Sequence, residues 1–427
     1  MTGTAAAAPA APELLLPQHA ADQRLALGAC AAAIALLPVI EPTLPGNASP
    51  VDALIGFAVV ATLFWAGHRH KPLRVPYGWP VALLIIGGAA GALVQQAPGG
   101  SGFALVQDVM LLAWCATLVT LARGPDVVRV FAIAWTWSSA AWATWMTVNV
   151  AIGQLALAGA EGANGGRAAL TFGDPNVAGN YFAISVFVVA AFRIPRHRVL
   201  RVLVYAMLLS ALVLTGSNGG FVSLMTGLMA GVVAMTYRRS GAIPMVALLA
   251  LMTATAVIAV REVHLIPLEQ AARTSDIRII RESIGRAGES EGSRSVLLHE
   301  TLGLFERGTI FGRGPNSTKS VLQAQQAPYV KEAHDDYLAT LAERGVIGTA
   351  GLLLLILMVG TRAWRAASRP PPQSLQVVLQ RPASLLGAVA VCAVAASFYE
   401  ILHFRHVWTL LAFVAIVYLQ GTNAPAQ

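Results

Sequence analysis

The chain has 427 residues, of which 56% are hydrophobic and only 12% charged, and its mean hydropathy is +0.64. These values exclude an ordinary soluble globular protein, so lipid is expected to solvate most of the chain. The formal net charge of +8 could otherwise suggest nucleic acid or an anionic membrane surface. The basic residues cluster in short connections between apolar segments, so we interpret the charge as topological and expect no nucleic-acid partner.

Twelve apolar segments have about the 20 residues that a membrane-spanning helix needs. They lie at 24–44, 51–67, 80–97, 103–122, 128–153, 175–192, 199–216, 219–236, 242–260, 346–364, 383–400 and 405–420. The sequence therefore predicts an all-α polytopic membrane protein with about 12 transmembrane helices. The predicted divisions are a disordered tail at 1–23, helices one to nine at 24–260, a long loop at 261–345, helices ten to twelve at 346–420 and a tail at 421–427.

The orientation follows from the basic connections, because Lys and Arg in short loops are retained in the cytoplasm. Every second connection is basic, whereas the short connections on the other side hold only Arg167 and Arg405. We therefore expect a multi-pass protein of the cell inner membrane with both termini in the cytoplasm and the 261–345 loop in the periplasm. A single large loop also argues against the inverted repeats of many transporters and favours an enzyme that works at one face.

Polar side chains at helix ends point to the same face. The acidic residues at predicted periplasmic ends are Glu41, Asp52, Asp108, Asp174 and Glu400. A charge near the membrane–water interface costs little free energy and needs no functional explanation. Only Asp108 lies well inside its helix. The cysteines Cys30, Cys115 and Cys392 all lie within predicted helices and are expected to be packing residues rather than disulfide partners.

Four tryptophans lie in the fifth predicted helix, at Trp135, Trp137, Trp142 and Trp145. Indole rings stack on sugars and isoprenoids, and they are also common where helices meet lipid near an interface. The sequence leaves both interpretations open.

The long loop carries eleven Lys or Arg and twelve Asp or Glu, and nine of its basic residues are arginines. The planar guanidinium binds phosphate oxygens bidentately, so arginine suits a lipid-linked diphosphate, although a solvated loop surface explains most of these residues equally well. Segment 265–286 has isoleucines at helical spacing and is predicted to lie on the bilayer or pack on the helices below. Gly292 and Ser293 are expected to end this helical region.

His334 begins an amphipathic stretch in which it shares a helical face with Leu338 and Leu341. Its unperturbed pKa allows it to accept a proton near neutral pH, which makes it a candidate base. The neighbouring Asp335 and Asp336 would need raised pKa values to compete. The loop has no D-x-D pair, and adjacent acids point to different faces of a helix, so we expect no metal.

Five short elements occur in order along the chain: FGDPN at 172–176, TGSNGG at 215–220, Arg294, GRGPNS at 312–317 and H-x-x-x-L-x-x-L-x-E-x-G at 334–345. Together they resemble the O-antigen ligase and polymerase superfamily over about residues 165–360. The resemblance implies a GT-C-like, metal-independent glycosyltransferase without a cofactor. It would transfer O-antigen polysaccharide from undecaprenyl pyrophosphate to a sugar hydroxyl of lipid A-core and so complete lipopolysaccharide.

The resemblance also implies roles for particular residues. His334 would be the catalytic base, and Arg294 would bind the donor pyrophosphate. Members of the family usually carry Arg directly after the Ser of the turn at 215–220, but this chain has Asn218 there, and an amide supplies no charge. Arg167 and Arg313 are candidates for the missing cation, unless the donor is bound more weakly or differently. The expected supporting residues are Asp174, Asn176 and Tyr337.

Three alternatives remain open at this point. An O-antigen polymerase shares the expected fold and donor, and a protein O-oligosaccharyltransferase shares the donor. The protein-glycosylating relatives usually extend well beyond the last helix, so the short 421–427 tail favours the ligase. A lipid-linked oligosaccharide flippase would transport without catalysis, and the single large loop disfavours it.

Overall fold

The computed structural model describes residues 21–41, 43, 48–94, 98–160, 166–262, 265–275, 281, 287–306, 308–326, 335–371 and 373–422. Within these residues the chain forms fifteen α-helices joined by turns and short 3₁₀ segments. The helices are α1 (Ala21–Ala35), α2 (Pro50–His68), α3 (Gly78–Val94), α4 (Pro98–Leu121), α5 (Pro125–Ala151), α6 (Pro175–Phe192), α7 (Arg198–Thr215), α8 (Asn218–Ser240), α9 (Ala242–Glu262), α10 (Leu265–Arg273), α11 (Ala287–Glu306), α12 (Thr318–Ala324), α13 (Asp336–Ser368), α14 (Ala383–Ala395) and α15 (Arg405–Thr422).

All twelve predicted apolar segments contain helices, namely α1 to α9 and α13 to α15. By length and composition, α2, α4, α6, α7, α8 and α13 are long and apolar enough to cross a membrane, and α3, α9, α14 and α15 supply shorter apolar helices. The three cysteines are buried as free thiols, as expected of packing residues. The protein is therefore an all-helical polytopic membrane protein.

The tenth predicted helix differs most from the structure. Its counterpart α13 begins at Asp336, because the Asp335 carboxylate caps it by accepting the N–H of Leu338 at 2.9 Å. The helix bends at Gly345, whose φ of 62° and ψ of −163° are not helical. Residues 336–344 are too polar for hydropathy to place them in a membrane helix, so the sequence alone predicts a start at 346.

Glycines bring α3 and α13 close together. A Cβ atom on Gly87 would lie 2.4 Å from the Gly348 nitrogen, and one on Gly351 would lie 2.7 Å from the Pro80 carbonyl oxygen. Contacts this short leave no room for side chains, and small residues allow such an approach between membrane helices. The bend at Gly345 is thus held against α3.

Two of the acidic residues at helix ends form bidentate ion pairs. Asp108 of α4 contacts Arg344 at 2.5 and 3.3 Å, and Asp52 of α2 contacts Arg405 at 2.9 and 2.5 Å. All four side chains are largely shielded from solvent, and breaking one partner of such a pair typically costs about 3–5 kcal/mol. These pairs link α4 to α13 and α2 to α15.

The described part of the loop is helical. Helix α10 covers the start of segment 265–286. The isoleucines of that segment at helical spacing, at positions 277, 280 and 284, lie outside the described residues. The prediction that Gly292 and Ser293 end the helical region is wrong, because both lie within α11. A single glycine costs a helix only about 1 kcal/mol relative to alanine, which does not terminate it here.

Helix α11 packs against α13, and the short α12 contacts both. The buried side chains of Leu297, Leu304 and Leu322 form a small core separate from the main one. This second core joins α11 to α12.

Candidate active site

The FGDPN and TGSNGG elements meet where α6 and α8 begin. Asp174 caps α6 by accepting the Asn176 N–H at 2.6 Å, and Ser217 caps α8 by accepting the Gly220 N–H at 3.1 Å. The Ser217 hydroxyl also donates to the Asn176 side-chain oxygen at 2.9 Å. The Asn176 amide therefore joins two elements that are 41 residues apart.

Arg167 lies against this junction. Its Nη2 donates to the Asn176 side-chain oxygen at 3.0 Å, and its Nε donates to the Thr215 carbonyl oxygen at 2.9 Å. A Cβ on Gly216, which has a φ of +55°, would lie 3.4 Å from the Arg167 side chain. Asn218 follows two residues later, half-buried in the first turn of α8. A guanidinium is therefore present at the turn that carries Asn218.

The connection between α14 and α15 links this turn to the start of α13. Gly219 packs against Phe398 and Tyr399, which lie 3.4 and 3.3 Å from the position of a Cβ on that glycine. On the other side, the Asp336 carboxylate accepts the N–H of Ile401 at 2.7 Å. The turn and the beginning of the H-x-x-x-L element therefore contact the same short connection.

His334 lies outside the described residues, and the structure resumes at Asp335. Burial raises the pKa of Asp335, with the N–H groups of Leu338 and Tyr337 opposing the shift. Asp335 thus meets the condition for a competing base, although its carboxylate also caps α13. The Tyr337 hydroxyl donates to the Ala393 carbonyl oxygen at 2.8 Å, so Tyr337 attaches α13 to α14.

Glu343 holds the GRGPNS element against α13. Its buried carboxylate accepts the N–H of Asn316 at 2.8 Å, and the N–H and hydroxyl of Thr318 at 3.0 and 2.7 Å. Two backbone N–H groups of the GRG segment also donate to α13 carbonyl oxygens at 3.0 and 2.8 Å. Sequence reasoning did not identify this role; the only signal was the glutamate within the last element.

Of Arg294 and Arg313, the two loop arginines expected at the donor, the structure describes the side chain of Arg313. The Arg313 Nε donates to the Leu304 carbonyl oxygen at 3.1 Å, at the end of α11. Arg294 belongs to α11, but its side chain lies outside the part of the structure that is described. The structure thus brings together Arg167, Asp174, Asn176 and Asn218, which we call the Arg167 cluster, and attaches Arg313 to the small second core.

A polar cavity of about 40 Å³ lies between α4, α13 and the connection to α15. One wall is the Asp108–Arg344 ion pair, and Asp336 and Glu343 line another. Burial, and secondarily Arg405, lowers the pKa of His403 to about 3, so this histidine adds no charge to the cavity at neutral pH. Sequence reasoning missed the cavity, because its walls are far apart along the chain.

The tryptophans of α5 divide into two pairs. Trp135 is buried, and its indole N–H donates a hydrogen bond to the Ser185 hydroxyl oxygen at 2.9 Å. The indole N–H of Trp142 donates to the Ala35 carbonyl oxygen at 3.3 Å. Trp137 and Trp145 instead line an apolar groove of about 710 Å³ between α5 and α7. Trp135 and Trp142 are therefore packing residues.

Across the described residues, no group of three or more His, Cys, Asp or Glu could hold a metal ion. Comparison with known families then identifies the central part of the chain: residues 202–353 match the family described as O-antigen ligase. The chain therefore contains a region of the O-antigen ligase family. The match includes the TGSNGG turn, the loop and the start of α13, whereas Arg167 and Asn176 lie outside it. No curated protein matches the chain.

Proposed function

We propose that this protein is a GT-C-like, metal-independent glycosyltransferase that transfers O-antigen polysaccharide from undecaprenyl pyrophosphate to a sugar hydroxyl of lipid A-core. The family match supports the broader class, an O-antigen ligase- or polymerase-type glycosyltransferase in a membrane. In the proposal both termini are cytoplasmic, and the reaction takes place at the periplasmic face of the cell inner membrane. Membrane lipids surround the protein, and neither a cofactor nor nucleic acid takes part.

One observation carries the proposal. Four of the five sequence elements belong to one continuous set of contacts at one end of the helices: Asn176 bonds to Ser217, Gly219 packs on Tyr399 and Asp336 binds the following connection. Glu343 then holds the GRGPNS element against α13. Polar motifs gathered at one end of an apolar bundle suit a substrate with a lipid tail and a polar head.

The donor pyrophosphate is proposed to bind beside the TGSNGG turn. Arg167 supplies the cation there, and Asn218 supplies amide hydrogen bonds in place of the usual arginine. Arg294 and Arg313 of the loop are proposed to contact the same pyrophosphate. Fixed guanidinium groups stabilise the negative charge that develops on the departing diphosphate.

The proposed reaction joins the acceptor oxygen to the first sugar of the donor. The acceptor hydroxyl attacks the anomeric carbon, the bond from that carbon to the pyrophosphate oxygen breaks, and undecaprenyl pyrophosphate leaves with the bonding electrons. The proton of the hydroxyl passes to His334, the proposed base. Asp335 is the competing base because burial raises its pKa.

Two further functions use the same donor. An O-antigen polymerase would use another lipid-linked chain as the acceptor, and a protein O-oligosaccharyltransferase would use a protein hydroxyl. A lipid-linked oligosaccharide flippase is the non-enzymatic alternative, and it requires neither a base nor an acceptor.

Complementation separates these functions. Expression in a ligase-null strain should restore ladder-bearing lipopolysaccharide on a gel, and Arg167→Ala should abolish the ladder at equal protein level. A chain that restores polymer length in a polymerase-null strain but leaves the ligase-null strain without a ladder would be a polymerase. Failure in both strains would contradict the proposed function.

A further inference from the structure

The polar cavity described above is bounded by residues from four separated parts of the chain. Gln107 comes from α4, Asn316 from the GRGPNS element, Thr340 from α13 and His403 from the connection before α15. It lies outside the Arg167 cluster, but the connection that forms one of its walls also packs on the TGSNGG turn. The cavity therefore lies beside the proposed donor site and is separate from it.

Two polar groups at this cavity lack hydrogen-bond partners among the described residues. Thr340 is 3% exposed and lines the cavity, and its hydroxyl forms no hydrogen bond with any described group. The side-chain nitrogen of Gln107 is buried without a partner. Buried polar groups are nearly always hydrogen-bonded, and leaving one unpaired costs about 1–3 kcal/mol. These two groups therefore suit a polar ligand.

The charges around the cavity favour a neutral ligand. Asp108 is paired with Arg344, and the Asp336 carboxylate accepts N–H groups of the connection at 2.7 and 3.4 Å. Glu343 accepts three hydrogen bonds from the GRGPNS region. The fourth acid that lines the cavity, Glu400, also has an interaction partner. Because all four acids have partners, the cavity does not require a cation. A hydroxyl group can both donate to a carboxylate and accept from an amide.

The size of the cavity limits what it can hold. A water molecule needs about 10–15 Å³ of such space, so a cavity of about 40 Å³ holds roughly three water-sized groups. That volume admits a hydroxyl or hydroxymethyl group and excludes a whole sugar ring. The lining residue Asp336 is two positions from His334, the proposed base.

We propose that this cavity is the acceptor subsite, which takes one hydroxyl or hydroxymethyl group of the acceptor sugar and orients that sugar beside the start of α13. The inference rests on the proposed function and names where that function binds its second substrate. Thr340 and Gln107 provide the hydrogen bonds, and Ala104 and Ala339 form apolar parts of the wall. Both alanines are 6% exposed, so larger side chains there would fill the cavity.

The test is binding of purified lipid A-core to the full-length protein in nanodiscs, with undecaprenyl pyrophosphate binding measured separately. Thr340→Val removes the hydroxyl and keeps the shape, while Ala339→Val and Ala104→Val fill the cavity from two helices. We expect each variant to bind lipid A-core about threefold to tenfold more weakly, the effect of losing one hydrogen bond, with undecaprenyl pyrophosphate binding unchanged. Thr361→Val is the matched control, because that exposed hydroxyl bonds only within α13.

The same variants are tested with an undecaprenyl pyrophosphate-linked repeat unit, which is the acceptor of a polymerase. A selective loss with either acceptor supports the subsite and identifies the source of the hydroxyl. Unchanged binding of both acceptors by folded Thr340→Val and either filled variant would overturn the subsite, as would the absence of acceptor binding by the wild type. Wild-type protein that binds lipid A-core but transfers nothing to it would contradict the proposed function and leave the subsite standing.

Discussion

Replacing Arg167 by alanine should weaken donor binding while leaving the fold intact. In the structure the Arg167 guanidinium donates to the Asn176 side chain and to the Thr215 carbonyl oxygen. Asn176 keeps its bond from the Ser217 hydroxyl in the variant. The loss of these two hydrogen bonds from a charged group, at about 1.5 kcal/mol or more each, lowers the free energy of unfolding by about 3 kcal/mol or more. Folded proteins have about 5–15 kcal/mol, so the variant should still fold.

The expected loss of donor binding is larger. Removing a charge from a partly dehydrated diphosphate contact typically costs about 2–5 kcal/mol, and every 1.4 kcal/mol is tenfold in affinity. Binding of undecaprenyl pyrophosphate should therefore weaken by about 30-fold or more. Arg167→Lys should rescue binding poorly, because a single ammonium cannot contact a diphosphate bidentately.

A second substitution makes this prediction specific. Adding Asn218→Arg to the Arg167→Ala protein places a guanidinium where the family usually has one, so donor binding should partly recover. Binding is measured with purified protein, and thermal unfolding of each variant serves as the control for folding. Wild-type affinity for undecaprenyl pyrophosphate in folded Arg167→Ala would refute the donor role and leave Arg167 as a structural residue of the turn.

Three further predictions concern the loop and the topology. Arg294→Ala should reduce transfer by well over tenfold, and Arg294→Lys should restore it poorly. Normal transfer by folded Arg294→Ala would show that Arg294 is only a solvated residue of the loop. Glu343→Ala leaves three donors without their acceptor and should destabilise the protein by about 3 kcal/mol or more, measured as a lower melting temperature. Glu343→Gln keeps one acceptor oxygen and should destabilise the protein less. An unchanged melting temperature in both variants would contradict the role of Glu343. Reporters fused after Arg239 should be cytoplasmic and those near Gly292 periplasmic, and a cytoplasmic result at Gly292 would remove the catalytic proposal.

The helices could be predicted from the sequence because hydropathy alone identifies membrane segments. Asp174 and Ser217 occupy the capping positions that their residue types favour, so the beginnings of α6 and α8 were also predictable to within a residue. The start of α13 was not, because residues 336–345, which precede its apolar run, include three charged side chains. Its early start depends on the Asp335 cap and on packing against α3.

The parts of the site that the sequence missed are joined by long-range contacts. Asp108 stood out as a charge inside a helix, but its partner Arg344 is 236 residues away. The Glu343 contacts to GRGPNS and the cavity walls likewise depend on how separate helices pack. Arg167 was named only as one of two candidates for the missing cation, and its position beside the TGSNGG turn required the structure.

The most direct test of the proposed chemistry is in vitro transfer from purified lipid-linked O-antigen to lipid A-core by the wild type, His334→Ala and Asp335→Asn. His334→Ala should still bind undecaprenyl pyrophosphate but lose transfer by about 10²–10⁴, the usual contribution of a positioned acid-base group. Asp335→Asn, which can still cap α13, should retain most transfer, and EDTA should not inhibit the wild type. Near-normal transfer by His334→Ala would contradict the assignment, and loss confined to Asp335→Asn would make Asp335 the base.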